Sequence, residues 1–457
     1  MAAIPGNIET EQQPPMTVPL RHFVVGLAFL SLGVVVGLGL RTGIVPGLGT
    51  LAHVHLLLAG WICVTIMGAM TQFVPVWSGA TLHSRRLASA QLALVVVGLL
   101  GFVSALLTGS LLWLVPFGAL MLAGFWTFVY NLGRTMAALE SYDVTERHFL
   151  LSLAFFLVLT VLGVLLAVDF SRPLFTGLSV HRGEVVAAHA TIAVFGAILT
   201  TVYGALYQLG TMFTQTELHG VDVPLRRVEE VGHPIGVALL ATGRLIDVTA
   251  VALVGGALIL AAALAFSVIL GRKLYEMQVD WTPMHSRYAV VAPALAAWAL
   301  LTVPAWLTAP TTPAHRFGGP GTVHLLLLGA VGFVVVGTLY HIVPFIIWVH
   351  RYSDLLGFED VPMIDDLYDD RIAAADGTLL AAGTLALVAT DLLGLPTVVG
   401  GLGGGLVALG VVVFASNMLL VIHKHSPHSL GRVVFGSLDP RDRSTVDDSP
   451  AAREEAE

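Results

Sequence analysis

Apolar residues fill run after run of this chain, and each run is closed by a charged or Pro/Gly-rich break. A helix needs about 20 apolar residues to cross a bilayer. Runs of that kind fall near 22–41, 50–76, 88–108, 111–133, 147–169 and 185–209, and again near 228–245, 248–271, 286–308, 321–349, 375–394 and 400–422. The seventh opens on Arg226, Arg227, Glu229 and Glu230, and only "GRLID" parts it from the eighth. Fused, 228–271 would make one helix and the count would be eleven. The basic residues favour twelve. With the N-terminus inside, the inner loops hold Arg85/Arg86, Arg134/Arg147, Arg226/Arg227, Arg272/Lys273/Arg287 and Arg351/Arg371, and the outer loops only Arg41, Arg172/Arg182, Arg244 and Arg316. That is the positive-inside asymmetry, and eleven spans would break it after residue 245. The pattern predicts an all-α integral membrane bundle of twelve transmembrane helices, multi-pass in the cell membrane, with N- and C-termini cytoplasmic. A cytoplasmic tail is expected over 1–21, the membrane domain over 22–423, and an acidic, disordered tail over 424–457.

Composition agrees: 457 residues, 56% hydrophobic and 11% charged, belong to a polytopic membrane protein. A single cysteine, Cys63, excludes disulfides and cysteine-ligated zinc or iron–sulfur sites within one chain. The first twenty residues lack a basic region leading to a small-residue cleavage site, so no signal peptide is expected. The polar stretches "GFEDVPMIDDLYDD" and "LDPRDRSTVDDSPAAREEAE" are acidic and read as solvated surface. No basic patch supports nucleic-acid binding.

Within this apolar background a pattern occurs three times. "HVHLLLAGWICVTIMGAMTQFVP", "HATIAVFGAILTTVYGALYQL" and "VHLLLLGAVGFVVVGTLYHIVP" each carry two glycines eight residues apart: Gly60/Gly68, Gly196/Gly204 and Gly329/Gly337. A polar side chain follows the second glycine by four, at Gln72, Gln208 and His341. His53 and His189 precede their first glycine by seven, and His55 and His324 precede theirs by five. The segments are spans two, six and ten, so the internal repeat is pseudo-threefold with a period of four helices. Such repeats often frame a binding site.

All three spans run the same way, so His53, His55, His189 and His324 share one depth near the outer face. A lone membrane histidine is ordinarily an interhelical hydrogen bonder, and His341, Gln72 and Gln208 are read that way. Histidines gathered at one level of a low-dielectric core suit a metal or haem. Two facing imidazoles fill both axial positions of a six-coordinate haem b, which points to His324 opposite His55 or His53. Those two lie about 200° apart on a helix, so only one can face a given iron; His55 is the first choice. His189 and, less directly, His233 in "GHPIGV" are the candidate copper ligands. His83, His148, His181, His219 and His315 fall in predicted loops.

These residues resemble subunit I of the haem–copper oxidase and nitric oxide reductase superfamily, with its twelve helices, pseudo-threefold symmetry and histidines on helices two, six, seven and ten. The resemblance implies axial haem ligands at His324 and at His55 or His53, and a copper ligand at His189. It also implies electron transport from cytochrome c, a cupredoxin or a quinol towards oxygen in aerobic respiration, with accessory subunits in the lipid membrane. The chain departs from the family at Thr322, where His-x-His is usual, at helix seven, where only His233 stands, and at Ala193, where the family has a tyrosine. A local resemblance is to the NnrS family, membrane proteins of nitric oxide handling that carry haem and copper. His53, His55, Gly60, Gly68, Pro75, Trp77 and Gly79 stand at its signature places, and His324 and Gly329 resemble a later one. A terminal oxidase-like or nitric oxide reductase-like oxidoreductase is thus expected, and a non-redox transporter built on repeats is the alternative.

Overall fold

The computed structural model describes residues 14–436, all of the regular structure being helical. Twelve long helices follow the predicted runs. They are α1 (Thr17–Arg41), α2 (Gly49–Ser78), α3 (Arg85–Thr108), α4 (Leu111–Met136), α5 (Val144–Asp169) and α6 (Arg182–Thr214), then α7 (Asp222–Leu245), α8 (Thr249–Tyr275), α9 (Pro283–Thr308), α10 (Leu325–Arg351), α11 (Asp370–Leu393) and α12 (Thr397–His425). Eleven are long and apolar enough to cross a membrane, and α7 is the exception. Its charges explain that, and it remains separate from α8: Asp247, between them, takes a left-handed φ of 50°.

A short helix α13 (Leu430–Phe435) follows. Arg21 donates to the Val433 and Gly436 carbonyls at 2.8 and 2.6 Å. The first part of the expected disordered tail is therefore folded back onto α1. Residues 1–13 and 437–457, which hold most of both expected tails, lie outside the described residues.

α2, α6 and α10 are the most buried of the apolar spans. The others surround them, with α1 packed on α12 to close the ring. The paired glycines explain how the inner helices seat. A Cβ on Gly60 or Gly196 would stand 2.7 Å from Phe29 Cγ or 2.8 Å from Phe155 Cγ, and one on Gly329 would stand 3.2 Å from Ala294 Cβ. At the second glycine, Gly68, Gly204 and Gly337 admit the Cβ atoms of His22, His148 and Arg287 at 2.6, 2.5 and 2.9 Å. The contacted residues are seven apart in each case: 22 and 29 on α1, 148 and 155 on α5, 287 and 294 on α9. Small residues let the backbones close where lipid gives no hydrophobic drive for helix association.

The repeat thus extends beyond the inner helices. Gln91, Glu229 and Asp376 each stand seven residues before a glycine (Gly98, Gly236, Gly383) that packs on the next helix, and all three are fully buried. Glu229 meets His148 Nε2 at 3.2 Å. Asp376 accepts from Arg287 at 2.6 Å and from the Tyr340 hydroxyl. Buried charge needs a partner of this kind. His148, expected in a loop, is therefore a buried α5 residue. Arg287, expected in an inner loop, is a buried ion-pair member.

Each inner helix also widens at the same place. π-helical segments run Leu56–Cys63, Ile192–Leu199 and Leu325–Gly332, each starting four residues before its first glycine. Such segments are rare and favour functional sites. Here the residue just before each one is His55, Thr191 or His324.

Candidate functional site

Two positions per repeat face the seams between repeats. The forward position, seven before the first glycine, holds His53, His189 and Thr322; the rear position, five before it, holds His55, Thr191 and His324. Being two residues apart, they point to opposite sides of the helix. One repeat's forward residue therefore meets another repeat's rear residue.

At the first seam, between α2 and α10, His53 and His324 line one cavity of about 370 Å³ and are close enough to interact electrostatically. The volume falls within the range of ligand pockets, roughly 300–1,000 Å³. His53, not the first-choice His55, stands beside His324. The walls are aliphatic and come from α1, α11 and α12 as well, with Val34, Leu380, Leu387, Val407 and Val411 among them. Each imidazole is anchored through Nδ1: His53 donates to the Gly33 carbonyl at 2.8 Å, and His324 is bonded to the Asp391 carboxylate. An acceptor on Nδ1 puts the proton there and leaves Nε2 with its lone pair. Neither Nε2 has a hydrogen-bond partner among the described residues. Gly37 makes room for the His53 ring, since a Cβ there would lie 2.6 Å from Cε1. Arg41 lies at the cavity with no ion pair among the described residues, and Trp61 lines it with an indole N–H that is buried and unpartnered.

The donor set fits a haem better than a bare ion. Two imidazoles suffice for a six-coordinate haem, whereas a protein-held copper or zinc needs three or more ligands. Among the described residues the one group of three candidate ligands near one point is His219, Asp222 and Glu276. It lies elsewhere, and Arg272 and Lys273 already neutralise it through Asp222 at 2.8 and 3.0 Å. For a haem, Arg41 offers donors to a carboxylate.

At the second seam His189 and His55 are electrostatic neighbours. His189 Nδ1 donates to the Leu159 carbonyl at 3.1 Å, as His53 does to Gly33; residues 33 and 159 each lie eleven beyond the equivalent His22 and His148. His55 Nδ1 bonds the Leu51 carbonyl of its own helix at 2.8 Å, and its ring rests on Phe102 at 5.1 Å.

The third seam, between α6 and α10, is filled. Thr191 accepts from Arg244 Nη1 at 2.7 Å. The same guanidinium donates to the carbonyls of Pro310, His315 and Arg316, each at 2.9 Å. Trp298, Trp306 and Phe195 pack edge and face, with centroids 5.5–5.7 Å apart. Arg244, expected in an outer loop, is buried in the last turn of α7. It stands fifteen residues after Glu229, as Asp391 stands after Asp376 and Leu106 after Gln91. One position on α3, α7 and α11 thus holds Leu106, Arg244 or Asp391, and the last two bond the rear residue of their own repeat.

His233 is apart from His189. It is buried, its Nε2 donates to the Phe195 carbonyl at 2.8 Å, and Tyr203 packs edge-on at 4.9 Å. Its electrostatic neighbours are Glu229 and His148. His341, expected to hydrogen-bond, instead stacks on Phe345 at 5.9 Å and meets Phe213 at a tilt at 4.1 Å, and both polar atoms of Gln72 are buried without a partner. Asp391 was legible as an acid inside an apolar run, the ordinary mark of an intramembrane functional residue. Neither a known protein family nor a curated protein matches this chain.

Proposed function

We propose that this chain is a membrane redox protein that holds a b-type haem between His53 and His324 and passes electrons through it. One observation carries the reading: two imidazoles share one apolar cavity, each fixed through Nδ1 and each keeping Nε2 for a ligand. When bound, a haem supplies one-electron transfer between its ferric and ferrous states. His53 and His324 would both hold the haem through Nε2, which favours electron carriage over gas activation. Asp391 places a carboxylate on His324 Nδ1 and would so favour the ferric state of a bound haem, as outer partners of ligating histidines do. The aliphatic walls exclude water, and Arg41 answers the charge of a haem carboxylate.

The electrons come from a cytochrome c, a cupredoxin or a quinol in this reading, and move on towards oxygen. His189 and His233 lie in different surroundings, so they do not together form the site that meets the terminal acceptor. That holds for oxygen in an oxidase-like role and for nitric oxide in an NnrS-like one. No copper role is assigned to either residue.

The test is the visible spectrum and haem content of the full chain purified from haem-replete cells. A sharp reduced band of six-coordinate haem is expected. His53→Ala and His324→Ala should each remove one haem per chain, while His341→Ala should remove none. Colourless protein, as a plain transporter would give, overturns the reading, and so does a haem content that neither alanine variant lowers.

A further inference from the structure

The first seam is not the chain's only pair of anchored histidines. We infer that His55 and His189 hold a second b-type haem at the seam between the first and second repeats. The inference rests on the reading of the first seam for the choice of occupant, whereas its geometry stands by itself.

Four observations carry it. The pseudo-threefold relation that puts forward His53 beside rear His324 puts forward His189 beside rear His55, and the two rings are electrostatic neighbours. The support of the forward ring is duplicated: the carbonyl at 33 or 159 takes its Nδ1 proton, and a glycine four residues later, Gly37 or Gly163, makes way for its Cε1 at 2.6 or 3.1 Å. The rear ring is likewise committed through Nδ1 only, so both Nε2 atoms are again without a hydrogen-bond partner among the described residues. Finally, the surroundings are not closed over. His55, His189, Phe102, Leu159 and Gly163 are all only partly covered.

The third seam shows that such pairing is a choice of side chains rather than a necessity of the fold. There both positions are threonine, and Arg244 with two tryptophans fills the space. Histidines placed for packing alone would need no repeated carbonyl, repeated glycine and free Nε2. A bare ion is the weaker occupant, because among the described residues no third ligand stands with His55 and His189. The two haems should also differ. His324 leans on a carboxylate and His55 on a backbone carbonyl, so the second site is the more readily reduced.

Haem per chain decides it, measured on the full-length protein as pyridine haemochrome against quantitative amino-acid analysis. Two haems are expected. His189→Ala and His55→Ala should each halve the content and leave the signal that His324→Ala removes. His189→Met, which keeps a ligand at the site, should retain two haems and shift one from bis-histidine to histidine–methionine spectra. It serves if the alanine variants fail to fold. One haem per chain, lost in His324→Ala, overturns the second site and leaves the first standing. Two haems that persist in both His55→Ala and His189→Ala, or unchanged spectra in His189→Met, also overturn it. No haem at all overturns both.

Discussion

The seam between α2 and α10 and the seam between α6 and α10 are built on equivalent backbone and end differently. Both begin at the step from α- to π-helix, both lie beside a glycine-packed outer helix, and both have a polar residue at each facing position. In the first, the residues are His53 and His324 and a cavity of about 370 Å³ lies between the helices. In the second they are Thr322 and Thr191, and Arg244, Trp298 and Trp306 fill the space. The difference is held in very few residues. The residue fifteen beyond the buried Asp376 or Glu229 is Asp391 in one case, where it anchors an imidazole, and Arg244 in the other, where it ties down a loop. The repeat supplies a scaffold with sites at fixed places, and the side chains decide which of them is open.

The filled seam should be the more stabilising of the two, and Arg244→Met breaks it. Methionine keeps much of the volume but leaves the carbonyls of Pro310 and Arg316 without their donor, whereas His315 keeps its bond from Trp306 Nε1. Each unsatisfied group costs about 1–3 kcal/mol, so the loss expected is about 2 kcal/mol or more. It is read as a fall in denaturation midpoint in detergent, with haem content per folded chain unchanged. A variant as stable as the parent would show that the seam does not depend on its arginine.

The open seam should respond through its chemistry instead. Asp391→Asn keeps a carbonyl oxygen for His324 Nδ1 and removes the negative charge. Losing the outer partner of a ligating histidine costs about 10–100-fold in affinity. The oxidised state should lose more than the reduced, and the midpoint should rise by about 59 mV for each tenfold of that difference. A redox titration of the two proteins checks this. A midpoint that does not move would mean that the carboxylate only orients the ring.

Much of this fold could be read from residues, because hydropathy and glycine spacing are local properties. The twelve runs and the glycine pairs lie where the sequence puts them, and the α7/α8 break falls at "GRLID". What could not be read was set by packing. The π segments leave no mark in the hydrophobic pattern. Which of His53 and His55 meets His324 depends on which neighbouring repeat each side of α2 faces. Arg244 and Arg287 resembled loop charges because they lie near helix ends, and only their partners reveal them as buried. Equivalence between "RHF" at 21–23, "RHF" at 147–149 and "SRY" at 286–288 is visible once Gly68, Gly204 and Gly337 are seen to receive His22, His148 and Arg287.

The smallest change worth making lies between the two histidine seams, at the glycines that admit the forward rings. A Cβ at Gly37 would stand 2.6 Å from His53 Cε1 and 3.0 Å from its Nδ1, whereas one at Gly163 would stand 3.1 Å from His189 Cε1 and 3.7 Å from its Nδ1. Contacts below 3 Å force a shift, and packed interiors yield poorly to added methyl groups, at a cost of about 1–3 kcal/mol. The His53 ring is also held by the Gly33 carbonyl at 2.8 Å, and the His189 ring by Leu159 at 3.1 Å. It cannot turn away without giving up that bond. Gly37→Ala should therefore lower retention of the first haem by about tenfold, which corresponds to about 1.4 kcal/mol. Gly163→Ala should change the second seam by clearly less, since its ring has more room to yield. Haem dissociation followed by transfer to an apo-globin acceptor measures both. Equal rates in the two variants would mean that the glycines do not set the rings, and that the carbonyls alone hold them.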